Sequence, residues 1–194
     1  MNTLAFDTST DNLGIALKTE KGIYSFSLSE TLKHSEKLLP LTEMLIDTAG
    51  NSVSDINLVV CARGPGSFTG LRIGMSTAKG IASALSIPLV SVPTLDFLAS
   101  SLYIFDGAVL PVIDAKKKRY YTALFDNGRR KSEYLDVEVN EVVELIRDYD
   151  RILLTGPDSG KLYEEISQVL ADRGKKVFND HSSKNSRIIS CLET

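Results

Sequence analysis

The chain has 194 residues, which suits one large domain or two small lobes, and its 43% hydrophobic and 24% charged residues are typical of a globular protein. This composition excludes a disordered or fibrous chain. The longest apolar runs fall far short of the about 20 residues of a membrane helix, and the first residues lead into a strand pattern instead of a signal peptide, so we expect a cytoplasmic protein. The formal net charge of −3 argues against nucleic-acid binding without a partner, because phosphate binding depends on many Lys and Arg side chains.

The cysteines and histidines are too few for a disulfide framework or a metal site. Cys61 and Cys191 lie in apolar surroundings without CxxC spacing, so we expect both thiols to be inert core groups. His34 and His181 are the only histidines, and the sequence contains no HxxxH or HExxH pair. No metal site is therefore predicted, and a serine peptidase or metallopeptidase is disfavoured.

The first half of the chain is predicted to form a meander of strands followed by alternating helices and strands. Alternation of apolar and polar residues marks the strands, and a helical period of leucines marks the first helix, with Ser35 suited to its N-cap and Gly50 to its end. The predicted elements are strands Thr3 to Phe6, Gly14 to Lys18 and Ile23 to Leu28, helix Ser35 to Ala49, strand Ile56 to Cys61, helix Leu71 to Leu85, strand Leu89 to Val92 and helix Thr94 to Leu102.

The same order of elements begins again in the second half. The predicted elements there are strands Ala108 to Ile113, Tyr120 to Phe125 and Glu133 to Val137, helix Asn140 to Arg147, strand Ile152 to Thr155 and helix Ser159 to Leu170. The order β-β-β-α-β-α thus occurs twice, which predicts an α/β fold with an N-terminal lobe, 1–105, and a smaller C-terminal lobe, 106–194. Asp7 and Asp114 end the first strand of each half, so both carboxylates are expected at a shared cleft. A single α+β domain with an accidental similarity of order is the alternative.

A glycine-rich motif from Gly64 to Gly74 joins a predicted strand end to a helix start. Backbone N–H groups at such a position favour an anion, although the spacing matches neither a dinucleotide fingerprint nor a P-loop. The carboxylate and hydroxyls after the first strand suit a metal–phosphate pair or, equally, a capped turn. The candidate phosphate-facing or nucleotide-facing residues are Asp7, Thr8, Ser9, Gly64, Gly66, Ser67, Thr69, Gly70 and Asp114. By contrast, Gly156 to Lys161 is interpreted as a turn and a helix cap.

Two further features suggest contacts with other molecules. The helix after the glycine motif is so rich in small residues that a close neighbour is expected, either from this chain or from a second protein. The candidate partner-interface residues on the two helices of the first half are Leu39, Ile46, Gly70, Arg72, Gly74, Thr77, Ala78 and Ile81. The basic run Lys116 to Arg119, before Tyr120 and Tyr121, is interpreted first as a solvated turn and second as a nucleic-acid contact.

Four segments together resemble the bacterial TsaB (YeaZ) family over nearly the full chain. They are Asp7-Thr8-Ser9, His34-Ser35-Glu36-Lys37-Leu38-Leu39-Pro40, the motif Gly64 to Gly74, and Asp114-Ala115-Lys116 before Tyr120-Tyr121. The resemblance implies the two-lobed actin/Hsp70/sugar-kinase-like fold. It also implies a role in forming N6-threonylcarbamoyladenosine at position 37 of tRNAs that read codons beginning with A.

The resemblance further implies a non-catalytic scaffold. In the family, TsaB pairs with the TsaD transferase through its first lobe, TsaE is the associated ATPase, and TsaB forms a homodimer when alone. ATP or ADP at the interface with the TsaD partner is the candidate cofactor, and tRNA is contacted only within the complex. Two alternatives stay open at this point: a small actin-like nucleotide hydrolase or kinase that uses Asp7 and Asp114, and a peptidase of the glycoprotease-like superfamily.

Overall fold

The computed structural model describes residues 1–29, 33–180 and 192. His181 and Cys191 lie outside these described residues. The chain divides into two compact units, Met1–Phe97 and Leu98–Lys184, and Leu192 belongs to the first. Leu192 packs on the first unit because its side chain meets a small apolar cluster formed by residues of three neighbouring strands. The sequence had placed the division at residue 105 and Leu192 in the second lobe.

The first unit is a five-stranded sheet with helices. Its elements are β1 (Thr3–Asp7), β2 (Asn12–Thr19), β3 (Gly22–Ser29), α1 (His34–Thr48), β4 (Leu58–Ala62), α2 (Phe68–Leu85), β5 (Leu89–Val92) and α3 (Thr94–Ser100). The strand order is β3-β2-β1-β4-β5. β1 runs antiparallel to β2 and parallel to β4, and β4 runs parallel to β5.

The second unit repeats this topology. Its elements are β6 (Ala108–Lys116), β7 (Arg119–Thr122), β8 (Phe125–Asp126), β9 (Arg129–Arg130), β10 (Leu135–Glu138), α4 (Val139–Leu145), β11 (Arg151–Thr155), α5 (Ser159–Ala171) and β12 (Lys176–Asn179). The main path of the sheet is β10-β7-β6-β11-β12, which is the order of the first sheet. The small strands β8 and β9 form a hairpin beside β6. The repeat therefore contains one more strand than predicted, since β12 corresponds to β5.

Each unit has its own apolar core between its sheet and its helices. In the first unit, leucine, isoleucine and phenylalanine side chains of β1 and β2 pack against Leu38, Leu45 and Ile46 of α1. In the second unit, β6 and β11 pack against Leu162, Ile166 and other residues of α4 and α5. Two sheets with two cores exclude the single α+β domain. No helix within the described ranges is long and apolar enough to cross a membrane.

Candidate functional site

The loop that follows β1 lies directly against the start of α2. The backbone N–H and the hydroxyl of Ser9 both donate to Asp7 Oδ1, at 3.0 and 2.6 Å. The N–H of Ser67 donates to the carbonyl oxygen of Ser9 at 2.6 Å, and the Thr8 hydroxyl donates to the carbonyl oxygen of Gly70 at 2.7 Å. The structure thus joins the two predicted phosphate-facing segments through hydrogen bonds between them.

Small residues allow this close approach. A Cβ atom on Gly66 would overlap with the carbonyl oxygen of Ser9, and a Cβ atom on Gly70 would overlap with the carbonyl oxygen of Thr8. A Cβ atom on Gly74 would overlap with the Thr8 hydroxyl. The predicted close neighbour of this helix is therefore the β1 loop of the same unit.

This packing corrects part of the predicted partner interface. Gly70, Gly74 and Ala78 are buried within the first unit and are not docking residues. Ile46 is only 2% exposed and belongs to the core, because α1 packs on both β2 and α2 and buries a wider stripe than one sheet contact requires.

The remaining exposed residues of the two helices form what we call the α1–α2 surface, defined by Leu39, Met44, Phe68 and Arg72. The exposed fractions of Leu39, Met44 and Phe68 are 55%, 52% and 68%. The Arg72 guanidinium lies 3.7 Å from the centre of the Phe68 ring, a cation–π contact. Thr77 and Ile81, the other predicted interface residues, are half-buried. Sequence reasoning missed Met44 and Phe68, because a helical period finds core positions and not exposed apolar ones.

The start of α2 also differs from the prediction. The helix begins at Phe68, and the Ser67 hydroxyl accepts a hydrogen bond from the N–H of Gly70 at 3.2 Å as its N-cap. The carbonyl oxygen of Gly64 accepts from the N–H of Thr94 at 2.8 Å, while Thr69 is exposed. The N-cap and the Ser9 carbonyl thus satisfy two of the N–H groups that an anion would need.

Buried groups hold the β1 loop in place from two more sides. His34, the first residue of α1, is buried, and its Nε2 lies 2.9 Å from the carbonyl oxygen of Thr10. This contact supports the prediction of a helix-start role for His34. Burial, together with the charge of Asp7, raises the pKa of the Cys61 thiol to about 12, so this cysteine is an inert core group at neutral pH, as predicted.

Asp114 lies in the second unit and is held by that unit's own groups. Its N–H donates to Asp158 Oδ2 at 2.8 Å, and its carboxylate accepts from the N–H of Lys116 at 2.7 Å and from Lys161 Nζ at 3.1 Å. Burial raises the pKa of the Asp114 carboxyl, but these donors outweigh burial, and the pKa lies below its usual range. Burial holds the pKa of Asp158 above its usual range.

A Gly-Pro pair occurs at the same place in both units. Gly64-Pro65 follows β4 and precedes α2, while Gly156-Pro157 follows β11 and precedes α5. The φ angles of Gly64 and Gly156 are +94° and +98°, a region that favours glycine. The segment after β11 is thus the repeat partner of the glycine motif as well as a turn. The shared Gly-Pro dipeptide could have revealed this from the sequence.

Lys116, Lys117 and Lys118 form the predicted basic turn between β6 and β7. All three side chains are exposed, as a solvated charge run requires. Their φ angles are +67°, +54° and +62°, which is uncommon for lysine. The described residues contain no group of three or more His, Cys, Asp or Glu side chains placed to hold a metal ion.

Comparison with known proteins agrees with this architecture. A family model described as TsaD, tRNA N6-adenosine threonylcarbamoyltransferase, matches residues 29–180. The tRNA threonylcarbamoyladenosine biosynthesis protein TsaB of Bacillus subtilis is 34% identical over 180 residues, 90% of this chain and 79% of that protein. YeaZ from Pseudomonas aeruginosa has a TM-score of 0.77 at 25% identity, covering 99% of this chain and 90% of that one. A ROK family protein from Streptococcus pneumoniae shares the fold, with a TM-score of 0.51 at 11% identity over 100% of this chain and 99% of that one.

Two sheets of one topology and these neighbours define the fold as that of the actin, Hsp70 and sugar-kinase class. The predicted fold is confirmed. Within that class, the chain belongs to the TsaB family, as its motifs predicted.

Proposed function

We propose that this chain is the non-catalytic subunit of the cytoplasmic machinery that forms N6-threonylcarbamoyladenosine in tRNA. It pairs with a TsaD-type transferase, works with a TsaE-type ATPase and contacts tRNA only within that complex. The name of the Bacillus subtilis relative supports the process. The observation that carries the non-catalytic role is the hydrogen-bonded contact between the β1 loop and the start of α2.

A phosphate loop needs N–H and hydroxyl donors that face the ligand. Here Asp7 is 2% exposed, and its Oδ1 accepts from both the N–H and the hydroxyl of Ser9. The Ser9 carbonyl accepts from the N–H of Ser67. Because these donors and acceptors satisfy each other, releasing them for a phosphate would cost the contacts that hold α2 on the sheet. ATP or ADP is therefore expected at the contact with the transferase partner, not in these loops alone.

The α1–α2 surface supports the proposed pairing. It presents three large apolar side chains with a cation at its edge, which is the composition of a protein-binding patch. The helices of the second unit are different, since exposed acidic and basic residues cover α4 and α5, including Glu141, Glu144, Lys161 and Glu164. We therefore assign docking of the transferase to the first unit.

The test of catalytic silence is ATP turnover by the purified chain, measured as phosphate release. We expect no turnover above background for the wild-type chain and the same result for Asp7→Asn, which keeps the acceptor for Ser9. Turnover near the common enzyme rate of about 10 per second, abolished by Asp7→Asn, would contradict the proposal and favour the nucleotide hydrolase.

A further inference from the structure

The outermost strand of the first sheet has none of the usual protection of a sheet edge. β3 pairs with β2 along its whole length without a bulge, and no described strand lies beyond it. Its residues, Gly22–Ser29, include no charged residue and no proline. Natural edge strands are commonly short, charged, bulged or interrupted by proline, because an open edge accepts a further strand.

The other ends of the two sheets carry such protection. β5 is short and lies between Pro88 and Pro93. β10 is short and carries Asp136, which forms an ion pair with Arg119. β12 is short and begins with Lys176. β3 therefore differs from these edges in length and in charge.

The two faces of β3 differ in a regular way. Tyr24 and Phe26, like Leu28, lie on the face of the sheet that packs on the core, and all three are only half-buried there. Ser25 and Ser27 lie on the opposite face and are exposed. The half-buried residues can lose more apolar surface to water only if another strand is added beside them.

We infer that β3 pairs antiparallel with β3 of a second copy of this chain, about a twofold axis at Phe26. Antiparallel neighbours that lie opposite each other share one face of the sheet, so this register places Phe26 opposite the partner's Phe26 and Tyr24 opposite the partner's Leu28. On the other face, Ser25 lies opposite the partner's Ser27. The pairing joins two five-stranded sheets into one continuous sheet.

The pattern favours a second copy over an unrelated strand. In this register every apolar residue meets an apolar residue and every serine meets a serine, which is the self-complementarity of a twofold interface. An edge without charge offers no electrostatic selection for a charged partner. The inference moves self-association away from the α1–α2 surface, which the proposed function assigns to the transferase.

Sedimentation of the full chain over a range of micromolar concentrations tests the inference. The wild-type chain is expected to dimerise. The double variant Ser25→Lys with Ser27→Lys places lysine opposite lysine twice, and we expect its dimer dissociation constant to rise at least ~10-fold. The double variant Ser25→Glu with Ser27→Glu should weaken the dimer equally. An equimolar mixture of the two variants should restore dimers, because each lysine then lies opposite a glutamate.

The control is Ser54→Lys with Ser83→Lys, which adds the same charge at exposed positions outside β3 and should leave the dimer unchanged. Circular dichroism checks that the variants fold. If they do not, amide hydrogen exchange of wild-type β3 decides, because its outer N–H groups should exchange more slowly as concentration rises. A monomeric wild-type chain, unaltered dimerisation of both double variants, or exchange independent of concentration would overturn the inference.

Discussion

Gly70 and Gly80 lie in the same helix but in different surroundings. A Cβ atom on Gly70 would overlap with the Thr8 carbonyl, whereas a Cβ atom on Gly80 would meet nothing within 4 Å. We expect Gly70→Ala to lower the free energy of unfolding by about 3 kcal/mol through overpacking, and Gly80→Ala to raise it by up to about 1 kcal/mol through helix propensity. Urea denaturation of both variants measures the difference. If Gly70→Ala were tolerated as well as Gly80→Ala, the packing of α2 on the β1 loop would be wrong.

Asp114 makes stability depend on pH in a defined direction. Because the folded protein holds the pKa of this carboxyl below its ordinary value of 3.8, its contribution is present above that pH and is lost as the pH falls through the folded-state pKa. We expect Asp114→Asn to lower the free energy of unfolding by about 1–2 kcal/mol at pH 7, and the difference from wild type to shrink in acid.

Asp158→Asn is the matched control for Asp114→Asn. Its pKa is raised by burial, so the wild-type chain should gain stability relative to Asp158→Asn as the pH falls. Urea unfolding of both variants at neutral and acid pH gives the comparison. The same pH trend in both variants would contradict the assigned contacts.

The limits of sequence reasoning are clear at single positions. The helical period correctly identified Leu38 and Leu45 as core residues of α1. It misplaced Ile46, because burial there depends on the contact between α1 and α2, which is distant in sequence. The partners of Gly70 and Gly74 were hidden for the same reason, since a close approach to Thr8 leaves only a small residue as its signal.

The turn between β6 and β7 stores backbone strain. Lys117 and Lys118 are its two central residues and both have positive φ angles, +54° and +62°, which Asn and Gly accept more readily than lysine. We expect Lys117→Asn with Lys118→Gly to raise the free energy of unfolding by about 1 kcal/mol. The control Lys117→Ser with Lys118→Ser removes the same charges but keeps the strain, so its melting temperature should barely change. Equal effects of the two pairs would show that charge, not backbone strain, governs this turn.

Most helices and strands followed from periodicity, and the differences have local causes. β12 was missed because it is short and half exposed, with Lys176 at its start. The predicted strand from Tyr120 to Phe125 is divided into β7 and β8, which pair with different parts of β6. Such a division depends on pairing between strands, and a single strand pattern does not contain it.

The repeated order of elements was the most reliable signal of the fold. It predicted two similar halves, and the structure adds the fifth strand and the shared Gly-Pro pair. Family motifs then identified the TsaB family. The predicted docking face was only partly correct, because composition alone does not separate small residues that pack inside a unit from small residues that face a partner.

The central claim is that this chain is required for tRNA modification without contributing a catalytic group. The measurement is N6-threonylcarbamoyladenosine in tRNA, quantified by nucleoside mass spectrometry after a reconstituted reaction with the TsaD-type and TsaE-type subunits. We expect modification only when this chain is present, full modification with Asp7→Asn, and at least ~10-fold less with Leu39→Arg at limiting concentration, because a buried unpaired charge weakens docking. Val53→Arg, at an exposed apolar residue outside the α1–α2 surface, should behave like wild type. Equal modification without this chain, or loss of modification with Asp7→Asn while the complex stays intact, would contradict the account.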